Sequence, residues 1–207
     1  MISLEQLLES RDRRVTHQRS LLEAHPGRVL LCLTVQLPGS VKRNRTSLAI
    51  ADAGVEAIQR AFSPEYKELK DLETGYEGYF LLSGDPLEIK RRACQLEDTH
   101  PLGRLMDIDV IPGITGDLLP EVPLASAGPA ASENYFSGQC PKNQFPEAIA
   151  NLTHADAFPI GREAIGLAPR CCLLCGLPAR VCMRAHTHTQ AELLDKIEQM
   201  VKSYTNR

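Results

Sequence analysis

The sequence predicts an α+β fold: a mixed sheet flanked by helices, with a small cysteine-rich knuckle and a terminal helix at the C-terminal end. Three observations predict it. Short apolar or β-branched runs of strand length alternate with longer stretches of helical periodicity. Several of the helical stretches begin at N-capping signals. Four of the seven cysteines also lie close together, at positions 171, 172, 175 and 182.

The length limits the number of domains. A chain of 207 residues suffices for one ordinary domain, or one domain with an appendage, because single cores serve roughly 100–200 residues. We expect a main domain over residues 1–165 and, packed on it, a knuckle and C-terminal helix over residues 166–207. Residues 113–160 are rich in Gly, Pro, Ala and Ser with weak periodicity, which predicts a long loop or excursion.

The N-terminal segment predicts a long amphipathic helix. Residues 3–6 (SLEQ) have the form of a capping box, and residues 25–27 (HPG) supply a stop. The apolar positions of the pattern are Leu4, Leu7, Leu8, Val15, Leu21 and Leu22. The polar face carries arginine at 11, 13, 14 and 19, which indicates either a solvated face or a landing surface for an acidic partner.

The later elements follow from apolar runs and caps. Residues 29–35 predict a buried strand, residues 78–82 a short strand, and residues 105–111 a strand whose two acids recur at a period of two. Asp85 at an N-cap and Pro86 at the first helical position mark a strong helix start. This helix is predicted to span residues 86 to 97 or 98. Two further helical patterns span residues 47–62 and 190–202, and the capping box 189–192 (TQAE) opens the second of them.

The two acids of the third strand are the first candidate site. Alternate residues of a strand project from one face, so Asp107 and Asp109 point together, while Met106, Ile108 and Val110 point the other way. Paired carboxylates on an apolar strand are costly unless a cation neutralises them, and Mg²⁺ binds one or two carboxylates together with substrate phosphates. The alternative is an exposed edge strand whose acids are simply solvated.

The cysteine cluster is the second candidate site. Cys172, Cys175, Cys182 and His188 could supply three thiolates and an imidazole to one ion at a knuckle-like spacing. Such a closed tetrahedral site would hold structural Zn²⁺ and would have no chemistry of its own. Reduced, partly buried thiols are the alternative reading. A catalytic thiol would need a thiolate-stabilising environment.

Composition excludes several classes of protein. The net charge is −3, with five Tyr, five Phe and no Trp, so a phosphate-tracking field and stacking platforms for nucleic acid are poorly supplied. No apolar run reaches the roughly 18–20 residues of a bilayer-spanning helix, and the N-terminus lacks a secretory pattern. The odd, clustered cysteines indicate a reducing compartment. We therefore expect a cytoplasmic protein with no nucleic-acid or membrane partner.

Several segments resemble, in the same order, one family of enzymes. They are residues 37–42 (LPGSVK), 73–77 (ETGYE), 100–110 (HPLGRLMDIDV) and 170–175 (RCCLLC), followed by Cys182 and His188. The most specific is the run 100–110. The chain is identified by these segments as a member of the citrate lyase holo-acyl-carrier-protein synthases, also called apo-citrate lyase phosphoribosyl-dephospho-CoA transferases.

This resemblance implies an activity. Such enzymes move 2′-(5″-triphosphoribosyl)-3′-dephospho-CoA onto a serine of the apo acyl-carrier (gamma) subunit of citrate lyase and release diphosphate. It also implies a nucleotidyltransferase-like fold that uses a D-x-D pair, which Asp107 and Asp109 match. The nucleotidyltransferase pattern has a Gly–Ser or Gly–Gly pair well before the acids. The sequence offers only Gly103 for this pair, and Gly103 stands too close to the acids.

The resemblance and the residue chemistry together give a site hypothesis. Asp107 and Asp109 hold Mg²⁺ or Mn²⁺ against the triphosphate, and Arg104 and Lys42 neutralise the departing diphosphate. Further candidate substrate-binding residues are Lys42, Arg43, His100, Glu73 and Glu77. A third metal-binding carboxylate could be Glu73, Glu77 or Glu97. The alternative function is a non-catalytic zinc-knuckle interaction module, in which the basic helix and the cysteine cluster dock a protein partner.

Overall fold

The computed structural model describes residues 2–113 and 158–206. The stretch predicted to be a long loop, 113–160, lies almost wholly outside these residues. The helices and strands are, in chain order, α1 (Leu4–Ala24), β1 (Val29–Val35), α2 (Arg45–Phe62), β2 (Tyr66–Leu72), β3 (Gly75–Leu82), α3 (Pro86–Thr99), β4 (Met106–Ile111), α4 (Ala179–Ala185) and α5 (Gln190–Thr205). Two short 3₁₀ turns, Gly103–Leu105 and Glu163–Ile165, complete the described part.

Local capping begins the helices where the sequence predicts. The Ser3 side chain accepts from the Gln6 N–H, and the Gln6 side chain accepts in return from the Ser3 N–H. Thr189 makes the same reciprocal cap at α5, and the Asp85 carboxylate caps α3. Each cap satisfies backbone donors that the first helical turn leaves unpaired. A further capping box between Asn44 and Ser47 starts α2 two residues before the predicted position.

The sheet is antiparallel in all its described pairings, with the strand order β2-β3-β1-β4. The α+β class is thus confirmed, and the mixed sheet is wrong. Strand β2, which forms a hairpin with β3, is not among the predicted elements. Its residues (YKELKDL) alternate between exposed and half-buried, so it lacks the apolar run that marks the buried strands. Strand β3 begins at Gly75, three residues before the predicted start at residue 78, because its first residues pair with β2 in the hairpin.

Each face of the sheet carries its own hydrophobic cluster. Leu31, Leu33, Phe80, Met106 and Ile108 belong to the larger cluster, which α2, α3 and α5 cover. The opposite face packs a smaller cluster against the C-terminal end of α1, made by Leu21, Leu22, Leu30, Cys32, Tyr79, Leu81 and Ile111. The period of two along the strands divides the side chains between the two layers.

The C-terminal region returns to the main core. Ile197 of α5 is buried in the larger cluster, and Met200, Val201 and Tyr204 pack against that cluster. The short helix α4 is not among the predicted elements, because its seven residues are too few for a helical period to show. The proposed division at residue 165 stays a prediction. No helix in the described ranges is long and apolar enough to cross a membrane.

Candidate functional site

Asp107 and Asp109 project from the same face of β4. The strand alternates between buried and half-buried residues, and Met106, Ile108 and Val110 point into the larger core on the opposite side. Asp107 lies opposite Thr34 of β1, and Asp109 lies opposite Cys32. The pairing of β4 with β1 therefore holds the two carboxylates side by side on rigid backbone.

A third carboxylate lies on the same face. Thr34 pairs with Glu77 of β3 on its other side, so Asp107, Thr34 and Glu77 form one row across three strands. Neighbouring strands lie about 4.8 Å apart, which places the Glu77 backbone roughly 10 Å from that of Asp107. Glu77 is buried and accepts a hydrogen bond from the Tyr79 hydroxyl.

Helix α1 lays polar side chains across this face. Arg14 Nε donates to Glu77 Oε1 at 2.8 Å, and Gln18 Nε2 donates to Cys32 Sγ at 3.3 Å. His17 Nε2 lies 2.7 Å from Glu68 Oε2. A groove of about 490 Å³ lies between α1 and the β2–β3 hairpin, and its lining includes Arg14, His17 and Glu77. The inner side of α1 is therefore polar at Arg14, His17 and Gln18 and buries apolar side chains at Leu21 and Leu22.

The exposure of α1 contradicts the predicted apolar pattern. Leu4, Leu8 and Val15 are 73%, 51% and 49% exposed, although the sequence pattern grouped them with the buried Leu21 and Leu22. Positions 10, 14, 17 and 18, spaced as one helical face, turn toward the sheet instead. Helix α1 lies over a polar row of the sheet. Its polar side chains therefore face the sheet, where they can pair with that row.

The environment of Asp109 disfavours its charged form. Burial, and then repulsion from Asp107, raises the pKa of Asp109 above its usual range, although the nearby charges of Lys90, Arg170 and Arg14 act in the opposite direction. Asp107 is more exposed and forms an ion pair with Arg170, with 3.3 Å between Oδ1 and Nη2. The two acids thus differ in environment while they share a face, which is a common feature of catalytic carboxylate pairs.

Side chains from two other elements satisfy the free edge of β4. The Ile108 N–H donates to Glu97 Oε1 at 2.8 Å, and the Ile108 carbonyl accepts from Lys90 Nζ at 3.0 Å. Arg170 Nη1 donates to the Met106 carbonyl at 2.9 Å. These contacts pair the strand's outward backbone groups, which would otherwise be left without partners in a buried position. They also fix the strand that carries the acids.

Arg170 connects the buried Glu97 to the acid pair. Its Nη2 donates to Glu97 Oε1 and lies 3.3 Å from Asp107 Oδ1. Arg162 approaches Glu97 as well, at 3.3 Å, and pairs with Asp98 at 2.7 Å. Burial raises the pKa of Glu97, and the charge of Arg170 opposes this shift. Of the three candidates for a third carboxylate, Glu97 is therefore already engaged at the strand edge.

The other predicted site residues have different partners. Arg104 donates to the Cys171 carbonyl, and Lys42 donates to the Leu37 carbonyl. Arg43 forms a two-pronged ion pair with Asp71 at a cavity of about 250 Å³. Glu73 lies beside the β2–β3 turn, 83% exposed and 3.5 Å from Arg43. His100 Nδ1 accepts from the Leu102 N–H, and its ring packs on Tyr204. Their roles toward phosphate remain predictions.

Two contributors to this site, Arg14 and Arg170, are missing from the predicted set. They come from α1 and the cysteine-rich segment, and nothing in the local sequence marks them as neighbours of the acids. The helical spacing of the polar residues 10, 14, 17 and 18 was the one available signal. Long-range pairing brings the rest together.

A Gly–Ser pair also stands well before the acids, at positions 39 and 40, so Gly103 is not the only glycine available for that motif. Gly39 has φ +85°, a conformation that favours glycine, and Ser40 follows it. Both follow β1 in the chain. The last residue of β1, Val35, pairs with Met106, the first residue of β4. Gly103 has a separate reason to be glycine, because a Cβ there would collide with the backbone carbonyls at the end of α3.

Cys172, Cys175, Cys182 and His188 meet in one cluster. All four ligand atoms lie within 4.8 Å of one another. Cys175 Sγ lies 3.4 Å from Cys182 Sγ and 3.3 Å from His188 Nε2. Ligand atoms around tetrahedral Zn²⁺ stand about 3.5–3.8 Å apart, given bonds of about 2.0–2.3 Å. The cluster could therefore bind a metal ion.

The loop around Cys172 has the hydrogen bonds of a metal knuckle. The Cys172 N–H donates to the Leu177 carbonyl at 2.7 Å, which closes the loop. Burial raises the pKa of the Cys172 thiol, but hydrogen bonds from the backbone of Leu174 and Cys175 outweigh it, so its pKa lies below the ordinary value. Backbone donors to sulfur favour the thiolate, which is the form that binds metal.

The comparisons with known proteins agree on one family. The model of the apo-citrate lyase phosphoribosyl-dephospho-CoA transferases matches residues 2–118 and 150–204. A Vibrio cholerae protein named "Probable apo-citrate lyase phosphoribosyl-dephospho-CoA transferase" is 30% identical over 99% of this chain and 94% of its own length. A Streptococcus pyogenes protein of the same name is 28% identical over 100% of this chain and 88% of its own length. "Protein CitXG" of Haemophilus influenzae is 30% identical, and this chain spans 36% of it. The chain therefore belongs to the apo-citrate lyase phosphoribosyl-dephospho-CoA transferase family.

Proposed function

We propose that this protein transfers 2′-(5″-triphosphoribosyl)-3′-dephospho-CoA to a serine of the apo acyl-carrier subunit of citrate lyase, with release of diphosphate. Membership of the family supports the activity. The observation that carries the proposal in the structure is the placement of Asp107 and Asp109 on one face of β4. A shared carboxylate face is what a cation-assisted transfer of a phosphate ester requires.

The acid pair fits a hard divalent cation. Two carboxylates that share a face, with Glu77 on the same row, supply the oxygen ligands that Mg²⁺ or Mn²⁺ prefers. Asp107 and Asp109 would hold the ion, and Glu77 is the third carboxylate that the geometry favours over Glu73 and Glu97. When bound, such an ion withdraws charge from the phosphate oxygens of the substrate.

The chain's own residues can carry the proton and the charge. The serine Oγ attacks the α-phosphorus, a phosphodiester forms, and the bond to the β-phosphate breaks so that diphosphate leaves. Asp107 or Asp109 would accept the serine proton. Arg14 is a cation beside this face and is suited to the charge that accumulates on the diphosphate.

The cysteine cluster is assigned a structural role. We infer Zn²⁺ as its ion, because three thiols and one imidazole form a closed tetrahedral set with no position left for substrate. The cluster lies in the segment that delivers Arg170 and Arg162 to the edge of β4.

Mass spectrometry of the carrier subunit tests the proposed reaction. Purified protein, apo carrier, the triphosphoribosyl precursor and Mg²⁺ should give a carrier whose mass rises by the prosthetic arm. Asp107→Asn and Asp109→Asn should each slow the transfer by more than about 10²-fold, the scale of one electrostatic catalytic group. Asp195→Asn, at an exposed position of α5, is the matched control. Transfer at the wild-type rate by a folded Asp107→Asn protein would refute the assignment.

A further inference from the structure

Among the described residues, Arg170 makes the contact between the cysteine-rich segment (residues 161–190) and the acid pair Asp107 and Asp109. Its guanidinium group donates to Glu97 and to the Met106 carbonyl, and it lies 3.3 Å from Asp107 Oδ1. The side chain is 18% exposed, and that of Glu97 is 2% exposed. An arginine held by a buried carboxylate and a carbonyl has little freedom, so its third contact restrains the Asp107 side chain.

The backbone of Arg170 belongs to the metal-binding loop. It stands two residues before Cys172, and its carbonyl accepts from the Ala179 N–H, the first residue of α4, at 2.8 Å. Helix α4 carries Cys182, and the loop between carries Cys175. The position of Arg170 therefore depends on how this loop and α4 are held together.

This segment has almost no hydrophobic core of its own. Residues 161–190 are all described, and Cys182 is the single buried residue among them. Helix α4 is seven residues long and has no side-chain cap. Small units with so little buried apolar surface usually depend on a metal or on disulfides for their structure.

We propose that the metal in the Cys172–Cys175–Cys182–His188 cluster holds Arg170 in place, and that Arg170 is a positioning residue for Asp107. The metal thereby becomes a requirement for transfer although it lies in a closed site without substrate contact. This inference rests on the proposed function for the role of Asp107. The link between metal and Arg170 can be tested separately.

A double-mutant cycle tests the coupling. Arg170→Ala should keep its zinc and transfer about 10–10²-fold more slowly than wild type, and Cys182→Ser should lose zinc and fall by a similar factor. The double variant should be no slower than the slower single variant, because both changes remove the same restraint. Arg162→Ala is the matched control: it also removes a partner of Glu97 but leaves the contact to Asp107, and it should stay within about 3-fold of wild type.

Two readouts separate positioning from general support of the fold. The Mg²⁺ concentration for half-maximal rate should rise in Arg170→Ala and stay unchanged in Arg162→Ala. Hydrogen exchange at the Ile108 amide, which is bonded to Glu97, should quicken when a chelator removes zinc from wild type and recover when zinc is restored. In Arg170→Ala this exchange should already be fast and should not change on zinc removal.

The outcomes divide clearly. Losses that multiply in the double variant, or a chelator effect on Ile108 exchange that persists in Arg170→Ala, would overturn the coupling. The same holds if wild-type protein binds no zinc. If Cys182→Ser does not fold, zinc removal and restoration on intact protein give the same comparison. If wild type shows no transfer at all, the proposed function fails, while zinc content and exchange still decide whether the metal holds Arg170.

Discussion

At the scale of single residues, Asp109 shows how a functional group is kept at a cost to stability. It stands on a half-buried face beside a second acid, and the buried neighbours on its row are Cys32 and Tyr79. Burial, and then repulsion from Asp107, raises the pKa of its carboxyl in the folded state. A charged group in such a place destabilises the fold at neutral pH, and this is common at functional sites.

Asp109→Asn should therefore stabilise the protein at pH 7. A raised folded-state pKa means that the folded protein binds the proton more readily than the unfolded chain does. The charged carboxylate thus costs stability at neutral pH, and the cost disappears as the pH falls through the folded-state pKa. Urea unfolding at pH 7.5 and at pH 5 should show a gain for the variant that shrinks on acidification. A loss of stability at pH 7.5, relative to an Asp195→Asn control, would contradict this account.

Glu77 and Glu73 provide a matched comparison for the third carboxylate. Glu77 lies on the row of Asp107 and is buried, whereas Glu73 is exposed beside the hairpin turn. Glu77→Gln should reduce the transfer rate by about 10–10²-fold, while Glu73→Gln should stay within about 3-fold. Initial rates at saturating Mg²⁺, with circular dichroism to check folding, decide between them. If Glu77→Gln slows transfer no more than Glu73→Gln does, Glu77 is not the third metal-binding carboxylate.

At the scale of elements, the acids are positioned by the connection from α3 to β4 as well as by the sheet. Gly103 lies in the short turn between them, and a Cβ at this position would meet the carbonyls of Leu96 and Glu97. The close approach lets α3 direct Glu97 and Lys90 onto the edge of β4. The turn thus couples the end of one helix to the strand that carries the site.

Gly103→Ala should destabilise the fold by about 1–3 kcal/mol, because backbone atoms cannot move aside as a flexible side chain can. Urea unfolding measures the loss. Gly27→Ala is a useful comparison. A Cβ added at position 27 meets no other atom, but the backbone there has a φ of +73°, so the loss of stability in this variant measures backbone strain alone. A Gly103→Ala protein as stable as wild type would show that the turn relaxes without cost.

At the scale of the whole molecule, the described residues form two layers on one sheet and a C-terminal region that reaches both the core and the acids. Ile197 of α5 is in the main core, while Arg170 reaches Glu97 and Asp107 across the edge of β4. The cysteine-rich region is thus bound to the rest through α5 and through charged contacts. Within residues 161–190, which precede the buried part of α5, Cys182 is the single buried residue.

Metal removal should therefore lower thermal stability. An ion present at about 100 times its dissociation constant stabilises a fold by about 2.7 kcal/mol, or about 5–10 °C in Tm for a chain of this size. Calorimetry with and without a strong chelator measures the shift, and added Zn²⁺ should reverse it. Cys182→Ser should show no chelator effect. A chelator-insensitive wild-type Tm would argue against a structural metal.

The sequence by itself determined the parts that depend on neighbours along the chain. The caps at Ser3, Asp85 and Thr189 begin helices where predicted, because a cap is a contact within four residues. The alternation in β4 placed Asp107 and Asp109 on one face, and the ordered motifs identified the family. The spacing of the cysteines and His188 also anticipated the cluster.

Only the tertiary structure decided what surrounds those acids. The antiparallel pairing put Glu77 on the row of Asp107, turned the polar side of α1 inward and brought Arg170 to Asp107 across the edge of β4. Such contacts join side chains that are far apart in sequence, and no local pattern encodes them. The carboxylate pair is thus a property of one strand, whereas the cations and the third acid beside it are a property of the fold.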